Sequence, residues 1–251
     1  MNNKFLNKIN LFLLLSAFIL AGAAQSILAV PRTVTKLADT DDGVCNADCS
    51  LREAVDVAIN GDNVTFVAGL AGQTISLTKG AITIADKNIL IIGLDGLSVS
   101  GINQSRIFHI TDGAIVNINN LDMKEGFAQD PDVLGFGGGG AILVHAGSHL
   151  VLSNSQLFAN KSAFGGAIVV SDSDLKLQNS VIRDNSASHS GGGLTAQGKG
   201  AFVEISNSSF KFNTAPKGGA ICSTNGTLKM TTSSVYQNTA TGENNTYGGG
   251  L

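Results

Sequence analysis

The sequence predicts an all-β protein, a parallel β-helix built from coils of about 26 residues. The first observation behind this prediction is a repeated double glycine, whose first members stand 26, 27, 26 and 31 residues apart at Gly139, Gly165, Gly192, Gly218 and Gly249. The second is a pair of apolar residues at i and i+2, and the third is an asparagine ten residues after each pair begins. Such repetition is typical of a solenoid, in which each repeat buries its apolar face against its neighbours.

Residues 1–24 have the layout of a secretory signal peptide. Lys4 and Lys8 precede an apolar run at 11–20, and small residues follow at 21–24. The run is short for a membrane span, so we expect cleavage near Ala24 and export of the chain, although a buried N-terminal helix is an alternative. No later apolar run approaches the roughly 20 residues of a membrane helix, so we expect no transmembrane span in the mature chain.

The mature chain is expected to be mildly acidic. Removing the two lysines of residues 1–24 changes the formal net charge from 16 − 19 = −3 to 14 − 19 = −5. Without a basic cluster, this charge argues against nucleic acid and anionic lipid as partners. The glycine run at 137–140 lacks the Gly-Lys-Ser/Thr ending of a phosphate-binding loop, and we expect no cofactor.

Residues 25–61 are predicted to form an N-terminal segment that covers the first coil. Ser50 and Glu53 have the spacing of a capping box at the start of a helix. The apolar residues of this helix share one face: Leu51, Ala54, Val55, Ala58 and Ile59. Because the open end of a solenoid would pair with other chains unless it is covered, we expect this amphipathic helix to be a cap.

The cysteines predict one local disulfide. Cys45 and Cys49 are separated by three residues on an exported chain, which favours a bridge between them. A zinc site is the alternative, and it would need two further ligands that are not visible nearby. Cys222 follows an apolar residue in a predicted strand and is expected to be a buried free thiol.

Residues 62–251 are predicted to form the β-helix, with three short strands per coil and about seven coils. Before Gly139 the alternation is less regular, and we expect strands at 64–67, 74–77, 81–84, 89–92, 107–110 and 114–118. The chain stops on Gly249-Gly250-Leu251, which opens another repeat. We therefore expect the β-helix to be truncated here and to continue in a longer protein, where an anchoring domain would lie. The alternative is that the last coil docks on a partner.

Two recurring positions are given structural roles. Identical amides can form a hydrogen-bonded ladder, and asparagine tolerates the left-handed backbone of a tight bend. These properties indicate a structural role for Asn160, Asn185, Asn213 and Asn238. Glycine allows unusual dihedral angles and close backbone packing. These properties indicate a structural role for Gly140, Gly166, Gly193 and Gly219. Because these residues recur in every coil, a structural role is favoured over a catalytic one.

The sequence indicates no catalytic set. Asp172 and Asp174 share one face, and no acid matches this pair one coil away, which favours a solvated turn. Asp184 lies one strand later, beside Arg183. His109 alternates with apolar neighbours and is expected to point outward. An acidic run before the predicted helix lacks the ligand spacing of a calcium loop and is also interpreted as a solvated turn: Asp39, Asp41, Asp42 and Asp48.

Two links between an asparagine and the next double glycine are longer than the others, at 127–138 and 239–248. Because insertions in a solenoid map to one face, both should leave the same edge, about 20 Å apart. We expect a host surface or a glycan to dock at this edge. Drift in an unconstrained turn is the alternative.

The run Cys45-Asn46-Ala47-Asp48-Cys49-Ser50-Leu51-Arg52-Glu53-Ala54 resembles the N-terminal Cys-Ser-Leu-Arg-Glu-Ala domain of bacterial surface proteins, over about thirty residues. The Gly-Gly-Ala-Ile and apolar-x-x-Asn repeats of residues 139–251 are similar to those of chlamydial polymorphic membrane proteins, although only one copy carries the family's phenylalanine, at Phe210. The resemblance implies an exported, right-handed, pectin-lyase-like β-helix, often a passenger displayed at the cell surface for adhesion. It implies no catalytic residues.

We therefore expect an exported β-helix protein of adhesin or passenger type, secreted, at the cell surface or associated with the outer membrane, with a binding or display role and no catalysis. The alternative is a polysaccharide lyase or glycoside hydrolase of the same fold, and a third interpretation is a rod that spaces other domains. Clustered acids beside a basic residue in a groove would favour the enzyme. A featureless lateral face would favour binding or spacing.

Overall fold

The chain folds as a right-handed parallel β-helix with one capping helix, which confirms the predicted fold class. This computed structural model describes residues 31–128 and 138–242. These residues form 26 short strands in four parallel sheets, which we name A to D, together with one α-helix, Leu51–Val57 (α1), and a 3-10 turn, Ala68–Leu70. Strands of sheets A, B and C follow one another through six complete coils and part of a seventh.

The first three sheets run along most of the coil. Sheet A contains Pro31–Val34, Asn63–Phe66, Asn88–Ile92, Ile115–Asn119, His149–Ser153, Asp174–Gln178, Phe202–Ser206 and Thr227–Thr231. Sheet B contains Thr74–Ser76, Ser98–Ser100, Asp122–Lys124, Gln156–Phe158, Val181–Arg183, Ser209–Lys211 and Ser234–Tyr236. Sheet C contains Ile82–Ala85, Phe108–Thr111, Ile142–Val144, Ile168–Ser171, Leu194–Gln197 and Ile221–Thr224.

The fourth sheet corrects the prediction of three strands per coil. Sheet D contains Phe127–Ala128, Lys161–Phe164, Ser186–Ser190, Thr214–Ala215 and Thr239–Ala240. Four of these strands lie in the links that follow a recurring asparagine, and the first follows Gly126. Apart from Phe127 and Phe164 they lack the large apolar residues that usually indicate a strand. Their backbone is extended because the neighbouring coils provide parallel hydrogen-bonding partners.

The four ten-residue blocks stack directly above one another. Leu150 pairs in register with Leu175, Leu175 with Val203, and Val203 with Leu228. The first three side chains are buried, and Leu228, in the last coil, is partly buried. Inward side chains from sheets A, B and C join them in one hydrophobic cluster along the axis. Each coil therefore buries its apolar face against the coils on either side.

The N-terminal end of the coil is covered by α1 and by a strand that the sequence does not predict. The strand Pro31–Val34 pairs in parallel with Asn63–Phe66 at the edge of sheet A. The helix contacts the first strands of sheets A and C. Its apolar face is buried except for Ile59, which is 47% exposed. The prediction for Ile59 is wrong because the helix ends at Val57 and the backbone is already extended at Ala58.

A buried ion pair fixes α1 to the coil. Arg52 Nε and Nη2 donate to the two carboxylate oxygens of Asp39 at 2.8 and 3.0 Å, and Nη2 also donates to the carbonyl of Gly80 at 2.7 Å. The backbone N–H groups of Thr78 and Lys79 donate to Asp39 Oδ2 at 2.8 and 2.9 Å. The prediction that Asp39 belongs to a solvated turn is therefore wrong, since its side chain is 1% exposed.

The disulfide between Cys45 and Cys49 closes the loop that leads into α1. Their Cα atoms are 4.5 Å apart, and Cys49 is fully buried. The backbone N–H of Cys49 donates to Thr35 Oγ1 at 2.8 Å, which ties this loop to the segment after the first strand. The bridge therefore holds a short covalent loop directly before the helix N-cap.

Glu53 is a buried carboxylate that organises the start of α1. It completes the capping box with Ser50, whose backbone N–H donates to Oε2 at 2.7 Å. Burial raises the pKa of Glu53, but hydrogen bonds from Ser50, Thr40 and Asp42, with the charge of Lys36, outweigh burial and lower the pKa from 4.5 to about 2.

Glu53 should give the fold a measurable acid dependence. Because its folded-state pKa lies below the unfolded value, its contribution to stability is present above about pH 4.5 and is lost as the pH falls toward 2. Glu53→Gln should lower the free energy of unfolding near neutral pH and should flatten its decline between pH 4.5 and 2. Denaturant unfolding across this range checks both effects, and equal slopes in the two proteins would contradict the assignment.

Candidate functional site

Asn160, Asn185, Asn213 and Asn238 form an amide ladder along the coil axis. The Nδ2 atoms of the first three each donate to Oδ1 of the next asparagine, at 3.0, 2.9 and 2.9 Å. The same Oδ1 atoms accept the backbone N–H of the preceding asparagine at 3.0, 3.1 and 2.9 Å. The first three asparagines are fully buried. Because buried amide groups are costly without partners, the ladder fixes one corner of every coil it passes.

The ladder asparagines do not adopt the left-handed backbone that the sequence analysis assigns to them. The residue immediately before each one has the positive φ angle, as shown by Ala159, Asp184, Phe212 and Gln237. A second left-handed corner lies between sheets A and B, at Asn120, Asn154, Asn179, Asn207 and Thr232. The preference of asparagine for this conformation therefore applies at the second corner. At the corner of the amide ladder, asparagine is favoured because its buried amide joins the ladder, not because of its backbone conformation.

A serine ladder at the second corner is a feature that the sequence analysis does not predict. It consists of Ser155, Ser180, Ser208 and Ser233. The Oγ atoms of the last three accept the backbone N–H of the serine one coil earlier, at 3.2, 3.1 and 3.1 Å. Each Oγ also donates to the carbonyl two residues before it. The signal is present in the sequence, because each serine stands five residues before a ladder asparagine.

The third double glycine is Gly191-Gly192, so the predicted assignment of Gly193 is wrong. Leu194 pairs in register with Ile168 and with Ile221, which places Gly192 beside Gly166 and Gly219. Gly193 takes the position that alanine holds in the neighbouring coils. Three consecutive glycines allow either alignment, and only strand pairing chooses between them.

Gly193 makes room for the one phenylalanine in the stack of inward sheet B residues. A Cβ atom on Gly193 would lie 3.0 Å from Cδ1 of Phe210 and 3.1 Å from Cγ2 of Ile182. Phe210 is fully buried. Because protein cores are close-packed, the larger ring is accommodated where the alanine methyl group is missing.

The acids considered as catalytic candidates lie apart, each with its own local partner. Asp174 Oδ2 lies 2.8 Å from His149 Nδ1, and both side chains are about half exposed. Asp172 is exposed and accepts the backbone N–H of Gly200 at 3.0 Å. Asp184 accepts from Arg183 at 2.8 Å on the surface. None of these pairs brings two carboxylates together in the arrangement of a glycosidase.

The structure agrees with the predicted direction of His109 and corrects the predicted burial of Cys222. His109 lies on the outer side of sheet C as expected, but its side chain is buried and its Nε2 lies 2.8 Å from Nε2 of His145. Cys222 is half-buried rather than buried, and it pairs in register with Thr195 on the outer side of the same sheet. Both side chains lie on the outer side of the sheet, and the neighbouring coils set how exposed each one is.

The two long links start from the same sheet. Of the segment 127–138 the structure describes 127, 128 and 138, and of 239–248 it describes 239–242, so most of both predicted loops lies outside the described residues. Phe127–Ala128 and Thr239–Ala240 are the first and last strands of sheet D. Four strand spacings separate them, or about 19 Å.

An open groove of about 570 Å³ runs along sheet D beside the first of these links. It is lined by Phe127, Ala128, Lys161, Ser162, Ala163, Ser186, Ala187 and Ser188. Short buried side chains form its floor, including Ala128, Ser162 and Ala187. Lys161 and Ser188 are exposed at its edge. The groove thus combines methyl groups on the floor with hydroxyl and ammonium donors at the rim.

The neighbouring face of sheet B carries basic and aromatic side chains, one per coil. The residues that pair in register are Lys124, Phe158, Arg183, Lys211 and Tyr236. The Arg183 guanidinium lies 4.3 Å from the centroid of the Phe158 ring. Tyr236 is 43% exposed and contacts Phe212 edge-to-face, with ring centroids 6.5 Å apart. This face is therefore not featureless, and it adjoins the groove across the asparagine corner.

Residues 31–128 and 138–242 contain no group of three or more His, Cys, Asp or Glu side chains that could hold a metal ion. Within the same ranges no helix combines the length and apolar character needed to cross a membrane. Comparison of the chain with protein families, with curated proteins and with solved structures finds no match.

Proposed function

We propose that this is an exported β-helix protein of adhesin or passenger type that binds a glycan along sheet D and has no catalytic activity. The observation that carries the proposal is the open groove of about 570 Å³. It lies on a rigid face of the coil, next to the strand from which one long link leaves. Ligands are commonly bound by side chains and loops that such a scaffold positions.

The chemistry of the lining supports a glycan as the ligand class. Ser186, Ser188 and Lys161 offer hydrogen-bond donors to sugar hydroxyl groups. The ring of Phe127 and the methyl group of Ala187 offer apolar contacts to the C–H faces of a sugar ring. Equivalent positions recur at about 4.8 Å from coil to coil, which suits a ligand that is itself a chain of repeated units.

The absence of catalysis is the second part of the proposal, and it has its own support. The eight lining residues of the groove are phenylalanine, alanine, serine and lysine. A lyase or hydrolase of the alternative kind would use carboxylates beside the bound sugar. The resemblance of the Cys-Ser-Leu-Arg-Glu-Ala segment to bacterial surface proteins supports display at the cell surface.

Glycan binding should depend on the groove and not on charge elsewhere on the rod. Ser188→Arg should fill the groove and weaken binding of the untagged mature chain to an immobilised glycan panel by at least about tenfold, or about 1.4 kcal/mol. Lys161→Glu should weaken it similarly. Lys176→Glu, an exposed change on sheet A, is the matched control and should bind as the wild type does.

Two outcomes would overturn the proposal. Equal binding by the wild type and Ser188→Arg would remove sheet D as the site. Release of reducing or unsaturated sugar ends from a bound polysaccharide would favour the lyase or hydrolase alternative. Such release should then be followed for each variant, because a catalytic groove would lose turnover together with binding.

A further inference from the structure

A histidine pair lies on the outer side of sheet C, which is a different face of the coil from the groove. His109 is in the strand Phe108–Thr111, and His145 directly follows the paired strand Ile142–Val144. The backbone N–H of His145 donates to the carbonyl of Ile110 at 3.0 Å, so the sheet register continues to this residue. Both side chains therefore project from adjacent strands of a stacked, rigid sheet.

The two imidazole rings meet through their Nε2 atoms. These atoms are 2.8 Å apart, the ring centroids are 4.7 Å apart, and the ring planes are tilted by 51°. His145 Nδ1 lies 3.3 Å from the hydroxyl oxygen of Thr111. His109 is 8% exposed and His145 is half-buried.

We propose that His109 and His145 form a two-histidine chelate for a divalent transition-metal ion, with Cu²⁺ preferred. Two imidazole nitrogens about 2.0 Å from one ion are about 2.8 Å apart when they bind at a right angle and about 3.3 Å apart at a tetrahedral angle. The observed separation of 2.8 Å matches the right angle. Right-angled coordination by nitrogen and oxygen is typical of Cu²⁺ and Ni²⁺, and Cu²⁺ is bound most tightly in the divalent series.

Thr111 supports this assignment as a positioning residue. When His145 Nδ1–H donates to the Thr111 hydroxyl, Nε2 keeps its lone pair, which is the state that a metal ligand requires. Metal-binding histidines generally use their second nitrogen in this way.

The competing explanation is a simple hydrogen bond between the two imidazole rings, and metal titration separates the two explanations. Untagged mature chain, stripped with a chelator, should bind one equivalent of CuCl₂ near neutral pH, more tightly than NiCl₂ or ZnCl₂. The Cu²⁺ spectrum measured by electron paramagnetic resonance should show two equatorial nitrogen ligands. Affinity should fall as the pH is lowered, because a protonated imidazole nitrogen has no lone pair for the metal.

Substitutions of single residues test whether the ion binds at this histidine pair. His145→Gln should lower Cu²⁺ affinity by about 100-fold or more, and Thr111→Val by about tenfold, as expected for an outer partner of a ligand. His189→Gln, an exposed histidine on sheet D, is the matched control and should leave affinity unchanged. His109 is buried, so His109→Gln could disturb folding. Its Cu²⁺ affinity is therefore compared only if its far-UV circular dichroism spectrum and its cooperative thermal transition show that it is folded.

Less than one equivalent of bound Cu²⁺ in the wild type would overturn the proposal and leave the hydrogen-bonded pair. So would unchanged affinity in folded His145→Gln, or tighter binding of Zn²⁺ than of Cu²⁺. This test is independent of glycan binding, because the groove on sheet D and the histidine pair share no residue.

Discussion

Replacing Asn185 by alanine should destabilise the β-helix by about 3 kcal/mol or more. The Asn185 amide donates to the carbonyl of Leu157 and to Oδ1 of Asn213, and its own Oδ1 accepts from the backbone and the side chain of Asn160. All four distances are between 2.9 and 3.0 Å. Alanine removes these partners and leaves buried donors and acceptors unpaired on both sides, each at about 1 to 3 kcal/mol.

The midpoint and slope of denaturant unfolding measure this loss. Asn179→Gly is the matched control, because Asn179 is exposed and has a positive φ angle that glycine adopts without strain. It should change stability by less than about 0.5 kcal/mol. Asn185→Asp should remain destabilised at neutral pH, since a carboxylate accepts hydrogen bonds but does not donate them. A loss below about 1 kcal/mol in Asn185→Ala would mean that the ladder is not a main source of stability.

Replacing Arg52 by methionine should destabilise the N-terminal cap by about 3 to 5 kcal/mol. The substitution preserves length and apolar packing but removes the charge that faces Asp39. Asp39 then keeps only the backbone N–H groups of Thr78 and Lys79 as partners, and its carboxylate stays buried. Removing one member of a buried ion pair is more harmful than removing both.

Two comparisons separate charge burial from loss of packing. Arg183→Met breaks a surface pair, with Asp184, and should cost no more than about 1 kcal/mol. Adding Asp39→Asn to Arg52→Met should recover part of the stability, because the unpaired buried charge is removed. The single variant should also associate in sedimentation experiments, since loosening α1 uncovers strand edges in the first coil. A double variant less stable than Arg52→Met would contradict a buried-charge mechanism.

The cap shows how far residue patterns predict structure in this protein. Ser50 and Glu53 correctly predict the helix start, because capping is a local interaction between residues three apart. Asp39 is interpreted as part of a solvated turn because its acidic run lacks the ligand spacing of a calcium loop, yet it is buried against Arg52, thirteen residues later. That pairing depends on how the loop folds back over the coil. No local pattern predicts it.

The candidate site was predicted only in outline. The long links at 127–138 and 239–248 indicate a common edge, and both start from sheet D. The groove itself depends on strands built from serine and alanine, such as Ser186–Ser190, which carry no apolar signal of a strand. The histidine pair was not predicted, because His109 and His145 are 36 residues apart in a coil enlarged by one long link.

The sequence by itself determined the coil period, the inward-facing side of the strands and the recurring asparagines, because each depends on a repeat that every coil shares. Only the tertiary structure decided the fourth sheet, the alignment of Gly193 and the meeting of His109 with His145. These features arise between coils, where strands pair across about 25 to 34 residues of chain. The register between stacked coils fixes these features, and the sequence of a single repeat does not contain that register.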